Sequence, residues 1–237
     1  MTQKAKCRLI LLGGGDLCRE LLWTAASVPS DQRDWEPFGI LDDNPDAARE
    51  HLCRRGLRLP VLGAVRDHQP KEEEVFLPAI GSPVDKLKTA ELIESRGGRF
   101  INLLHPTTVV APDTKMGIGN FCFVYSVISV GAVLEDFVTL NVSAVVGHDA
   151  RVGRGSTLSP GSILCGNVSL GRGVFLGTGA SIVPGQTVGD LSSLGAGSVA
   201  LRSIEAQMIV FGVPARPITP PRASGEANPI PNGDKRL

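Results

Sequence analysis

The chain has 237 residues, a formal net charge of zero and a pI of about 6.9. That neutrality argues against the basic footprint of a nucleic-acid binder. Five scattered cysteines (7, 18, 53, 122 and 165) without a CxxC or Cys/His cluster point to reduced thiols in a cytoplasm and give no zinc signature. No apolar run approaches membrane-spanning length. The opening MTQKAKCRLILLGGG breaks at glycines, so it reads as a buried strand and not as a signal peptide.

Residues 7–13 (CRLILLG) predict a parallel strand, and Gly13-Gly14-Gly15 turns it into a helix over about 16–28. A second strand at 35–41 ends in Asp42-Asp43. A charged helix follows over 45–54, then short strands at 60–63 and 74–80, and then Gly81. An amphipathic helix over 85–95 and a strand over 99–104 complete a small parallel α/β domain, residues 1–105. Ligands of such domains sit at the carboxyl ends of the strands, where Gly13–Gly15, Asp42, Asp43 and Gly81 gather. The triple glycine has two readings: a tight turn, or a cradle of backbone N–H groups for an anion at a helix start. The dinucleotide fingerprint fails, because Cys18 stands where its third glycine belongs.

From Val110 to Val199 the chain keeps a six-residue beat without insertion. Its first positions include Val110, Met116, Cys122, Ile128, Leu134, Leu140 and Val146, and they continue to Leu194; all are apolar. The fifth position is small or Val except at Asn120 and Gln186. Gly fills the second position at 117, 147, 153, 171, 177, 189 and 195, where it is expected to relax the bends. A 3.6-residue helix cannot hold this period on one face, so the beat predicts a parallel β-helix with about eighteen residues per triangular coil. This second domain spans 106–218. After Leu194 the beat decays; a strand and a Pro-containing turn are expected over 207–218, and residues 219–237, rich in Pro, Gly and polar types, read as a disordered tail.

His148 is the only histidine within the beat. It holds a third position, which alternation turns outward, with Asp149 beside it. Two readings stand: a solvated surface histidine, or a general base whose imidazolium a carboxylate supports. One histidine is too few for a β-helical carbonic anhydrase, which needs three for its metal. Cys165 has no histidine nearby in sequence and reads as packing.

The glycine turn, Asp42-Asp43, the hexapeptide β-helix carrying Gly147-His148-Asp149 and the closing FGVPAR (211–216) together resemble the sialic acid O-acetyltransferase group of sugar acyltransferases. This hexapeptide-repeat group includes N-acetyltransferases of nucleotide-linked amino sugars of the bacillosamine and perosamine type. The resemblance covers about residues 7–218. It implies a left-handed coil, a homotrimer and acetyl-CoA in the groove between neighbouring prisms; with no zinc signature in the sequence, no metal is expected, and the cysteines place the protein in the cytoplasm. By the same resemblance His148 is the base, Asp149 raises its basicity, and the Gly166 amide stabilises the oxyanion. Acetyl-CoA contacts are expected at Thr157, Ser159, Thr178, Ala196, Gly212 and Arg216. Sugar contacts are expected at Gly13, Gly14, Gly15, Asp42, Asp43 and Gly81, with Asn141 facing the site near His148.

One departure is visible: Asp16-Leu17 stands where the family commonly has Gly-His. The expected activity is therefore acetylation of a sugar amine or hydroxyl, with a nucleotide-linked amino sugar for surface glycan synthesis as acceptor. The alternatives are O-acetylation of a non-nucleotide sugar, or a non-catalytic β-helix assembly module.

Overall fold

The computed structural model describes residues 6–219. Its first part is a four-stranded parallel sheet in the order β3-β2-β1-β4, with β1 Cys7–Leu12, β2 Trp35–Leu41, β3 Val61–Gly63 and β4 Glu74–Pro78. Three helices cover it: α1 Asp16–Ser27, α2 Pro45–Cys53 and α3 Pro83–Ser95. The central strand β1 has helices to bury on both faces, and Leu9–Leu12 are accordingly all buried. Asn44 caps α2 and Ser82 caps α3, each accepting a backbone N–H of the first turn.

The second part is a left-handed parallel β-helix of two-residue rungs. Its three faces follow one another along the chain. The first carries Leu103, Phe121, Thr139, Thr157, Phe175 and Ser193; the second carries Val109, Val127, Val145, Ile163, Ser181 and Val199; the third carries Lys115, Val133, Arg151, Ser169 and Thr187. Rungs pair in strict eighteen-residue register, as in Val145↔Ile163 and Thr139↔Thr157. The first-position aliphatics and fifth-position small residues fill the prism, with Leu140, Val146, Leu158, Leu164 and Leu176 wholly buried.

The expectation about glycine is corrected. The second-position glycines do not have positive φ; the bend falls at the fourth position, left-handed at Gly131, Gly155 and Asp149 among others. The second-position glycines serve close stacking instead. A Cβ on Gly147 would lie 2.7 Å from the Cys165 carbonyl carbon of the next coil, and one on Gly153 2.4 Å from that of Gly171.

Two boundaries also move. The expected strand 99–104 divides: Phe100 bridges to Phe76 in the first sheet, while Leu103–Leu104 pairs with Phe121–Cys122 and begins the prism. At the far end the prism outlasts its beat. Ile204 bridges to Val188 and Ile209–Phe211 pairs with Ser193–Leu194, so the last coil is sixteen residues long and escapes a six-residue count. Ile209–Phe211 then pairs antiparallel with Arg216–Thr219 around the expected Pro-containing turn. The disordered tail expected from 219 lies outside the described residues, apart from Thr219.

The first domain sits on the first face and on the edge between the third and first faces. Leu87 of α3 rests on Gly155, whose missing Cβ makes room for it. Arg154 joins Glu94 and Asp136 at 2.5 Å each, and Arg172 joins Glu91 at 2.6 Å. The phenyl rings of Phe100 and Phe137 meet edge-on at 4.8 Å. Among the described residues no helix is long and apolar enough to cross a membrane.

Candidate active site

His148 and Asp149 occupy the bend between the second and third faces. The left-handed conformation of Asp149, φ 57°, is one that Asp tolerates better than most residues. It turns the carboxylate back along the chain, so that Asp149 Oδ2 lies 3.0 Å from His148 Nδ1. Both side chains are more than half exposed, at 57% and 60%. With Nδ1–H donating to the carboxylate, Nε2 carries the free lone pair. That nitrogen hangs over Gly166, one coil on: a Cβ built on Gly166 would fall 2.2 Å from it.

The Gly166 N–H has no acceptor among the described residues. Some third-position amides are met by side chains, Ile118 by Asp136, Arg154 by Glu135 and Arg172 by Asp190, whereas those of Val130, His148, Thr178 and Ala196 are, like that of Gly166, without an acceptor among the described residues; only the Gly166 amide lies beneath the His148 ring. A free proton acceptor and a free amide donor therefore lie side by side. That is the pairing acyl transfer needs for its nucleophile's proton and for its developing oxyanion.

Gly131, eighteen residues before Asp149, belongs to the same constellation and was missed in the sequence. A Cβ there would come within 2.4 Å of Asp149 Oδ1. The eighteen-residue spacing that links 131 with 149 and 148 with 166 was the signal available.

The expected sugar-binding residues gather as well. Gly13, Gly15, Asp42, Asp43 and Gly81 line a cavity of 330 Å³ at the carboxyl ends of the strands, completed by Asp16, Leu17, Val65, Ala79, Ile80 and Thr89. Gly14 borders the neighbouring cleft with Asp42. Gly13 has φ +111°, and a side chain there would strike Ile80 and the Ala79 carbonyl. Asp42 is committed to structure: its two oxygens accept from Gly14 N and Asn44 N, both at 2.8 Å. Asp43 accepts from Arg66 N at 3.0 Å. Asp16 does not stand as a bare charge; its carboxylate meets His51 Nε2 at 3.2 Å and Arg55 Nε at 3.3 Å. Burial, and then the charge of Asp42, push the Cys18 thiol up to about 12, so it stays protonated beneath this cavity.

The expected acetyl-CoA residues divide. Thr178 and Ala196 are exposed and stack at eighteen-residue spacing on the edge between the first and second faces, with Ser159 at the same edge, largely buried. Gly212 continues this edge by donating to Ser198 Oγ at 2.9 Å. Arg216 is exposed on the closing hairpin. Thr157 is different: it is buried between the domains, its hydroxyl held by Lys86 and Gly81. Asn141 is also displaced from its expected place. It lies at the near end of the second face and His148 at the far end, so one chain does not bring them together. Among the described residues no cluster of His, Cys, Asp or Glu is placed to hold a metal ion.

A β-helical prism with an outward His–Asp pair and an α/β domain mounted on one face is shared with structural neighbours that are sugar acyltransferases of the hexapeptide-repeat type. No protein-family model matches the chain. Solved structures do. The acetyltransferase domain of PglB from Neisseria gonorrhoeae is 28% identical with a TM-score of 0.78, over 89% of this chain and 99% of that one. PerB from Caulobacter crescentus, solved with CoA and GDP-perosamine, is 27% identical with a TM-score of 0.77, over 88% and 96%. WeeI from Acinetobacter baumannii, at 22% identity and a TM-score of 0.73, shares the fold over 90% of this chain.

Proposed function

We propose that this protein is an acetyl-CoA-dependent acetyltransferase acting on the amine of a nucleotide-linked sugar, with His148 as general base. The observation that carries the reading is the placement of His148 Nε2 beside the unpartnered Gly166 N–H, with Asp149 fixing the ring through Nδ1. His148 takes the proton of the attacking amine as the new C–N bond forms. Gly166 N–H donates to the carbonyl oxygen as it gains negative charge. Asp149 supports the imidazolium, which then returns the proton to the departing CoA sulfur. Amide and free thiol are the products, and no covalent enzyme intermediate is needed. Acetyl-CoA is bound in one structure of the PglB domain, and GDP-perosamine accompanies CoA in PerB. Both ligands suit the surfaces here: an exposed rail of small residues at Thr178 and Ala196, and a donor-seeking pocket at Asp43.

The working unit in this reading is a homotrimer. In a triangular prism the His148 edge lies opposite the first face, and that face carries the acceptor domain. Base and acceptor pocket of one chain therefore point away from each other, and a neighbour must supply one of them. The second face supports the same conclusion. Its outward ladder of Val109, Val127, Val145, Ile163 and Val199 is apolar but for Ser181, while the third face is polar but for Val133, presenting Lys115, Arg151, Ser169 and Thr187. Val109 is 58% and Ile163 40% exposed in the single chain, an apolar stripe that calls for a partner. The five free thiols fit a reducing cytoplasm.

The test is thiol release from acetyl-CoA across nucleotide amino sugars and matched non-amino sugars. Turnover with an amino sugar, reduced about 10²–10⁴-fold in His148→Ala, is expected. Equal turnover of the His148→Ala variant ends the reading. Activity confined to hydroxyl acceptors moves it to O-acetylation.

A further inference from the structure

The strongest unexplained feature is a lysine buried without a counter-ion. Lys86 lies in the first turns of α3, wholly buried, and no carboxylate among the described residues is within ion-pair distance of it. Its Nζ meets three acceptors of the prism: Thr139 Oγ1 at 2.9 Å, Thr157 Oγ1 at 2.9 Å and Ser156 O at 3.2 Å. Thr157 accepts from Lys86 and spends its own proton on Gly81 O at 3.2 Å. Gly81 lines the acceptor cavity, and Ser82 after it caps α3. A seam that only glued two domains had a cheaper option one residue on, where Leu87 packs against Gly155. The polar chain instead runs from the prism to a specific carbonyl on the cavity wall.

We propose that Lys86 and Thr157 are positioning residues for acceptor binding. They hold the Gly81–Ser82 segment against the prism and so fix one wall of the acceptor cavity. This rests on the acetyltransferase reading for what the cavity binds, but not for the tether itself. Gly81 has open space where its side chain would be. Its place is therefore set by the carbonyl bond and by the α3 cap, not by packing around it.

The experiment compares Thr157→Val, which keeps the shape and loses the hydroxyl, with Thr157→Ser, which keeps the hydroxyl, and with Lys86→Met. Two readouts are taken on the full chain. The first is amide hydrogen exchange over residues 79–86 without any ligand. The second is KM for GDP-perosamine, used as the probe acceptor, against KM for acetyl-CoA. In Thr157→Val, exchange over 79–86 is expected to rise by up to about tenfold, the loss of one hydrogen bond. The acceptor KM rises by a similar factor, while the acetyl-CoA KM stays within about twofold. Thr157→Ser restores both, and Lys86→Met, if folded, follows Thr157→Val. Unchanged exchange in Thr157→Val overturns the proposal, and so does a parallel rise of both KM values. If the wild type leaves GDP-perosamine untouched, the choice of acceptor fails, and the exchange readout alone decides the tether.

Discussion

Replacing Gly166 with alanine tests the proposed catalytic role of the His148–Asp149 pair through its geometry. The substitution leaves His148 and Asp149 unchanged in identity and adds one methyl group. That Cβ would stand 2.2 Å from Nε2 and 2.3 Å from Cε1 of His148, whereas ordinary contact begins at 3.4 Å. The obstructing atoms belong to a side chain more than half exposed, so the ring gives way and the backbone does not. It must retreat by about 1 Å, and a displacement of that size at a reacting centre costs about 10²-fold. Gly166 is not among the left-handed positions, so alanine adds no backbone strain. The expected result is a kcat lowered about 10²-fold, an acetyl-CoA KM within about threefold, and a melting temperature close to wild type. Steady-state thiol release and a thermal melt measure all three. Activity within about threefold of wild type in a folded Gly166→Ala protein refutes the claim that Nε2 above Gly166 is the working base. A collapsed melting temperature refutes the claim that the ring can yield.

The remaining predictions concern stability and assembly. Burial pushes the Lys86 pKa down from 10.5 to about 7. Between those values the unfolded chain binds the extra proton, so stability rises with pH over about 7–10.5, at up to about 1.4 kcal/mol per unit. Below pH 7 both states are protonated and the slope vanishes. Denaturant melts from pH 6 to 9 on wild type and Lys86→Met check this; parallel slopes for the two proteins would contradict it. Ile163→Arg places a charge in the apolar ladder of the second face and is expected to yield monomers by light scattering, with activity lost although His148 is untouched. A fully active Ile163→Arg monomer would sink the shared-site reading.

Much of the architecture was legible because each hexapeptide repeats the same burial problem. Val146 and Leu164 solve it identically, so fifteen weak signals add in phase. His148 and Asp149 were legible for the same reason, since position within the repeat sets which way each points. The glycine turn and Asp42-Asp43 were legible from strand ends. What stayed hidden was contact at long range. Nothing local in Asp85-Lys86-Leu87 announces that Lys86 ends between Thr139 and Thr157, so Thr157, expected by resemblance at an acetyl-CoA contact, lies instead in the seam. Asn141 was placed near His148 by resemblance alone, and within one chain the seven residues between them span a whole side of the prism. The second-position glycines were correctly counted but given the wrong cause: a six-residue beat reveals the bend, not the coil stacked above it. The last coil vanished from the count because it is two residues short.

The strict register of the rungs has a consequence for how such a protein can change. Each circuit of the prism advances by one strand spacing, about 4.8 Å, and returns to the same corner. Gly131, Asp149, His148 and Gly166 meet at one corner only because their separations obey that circuit. The chain between them thus behaves as a counted thread. One residue gained or lost between 131 and 166 rotates every later side chain off its corner, while a gain or loss of eighteen leaves the corners aligned. Length variation in the prism is quantised, and the short final circuit lies beyond the last residue of the His148 constellation, whose register it leaves untouched.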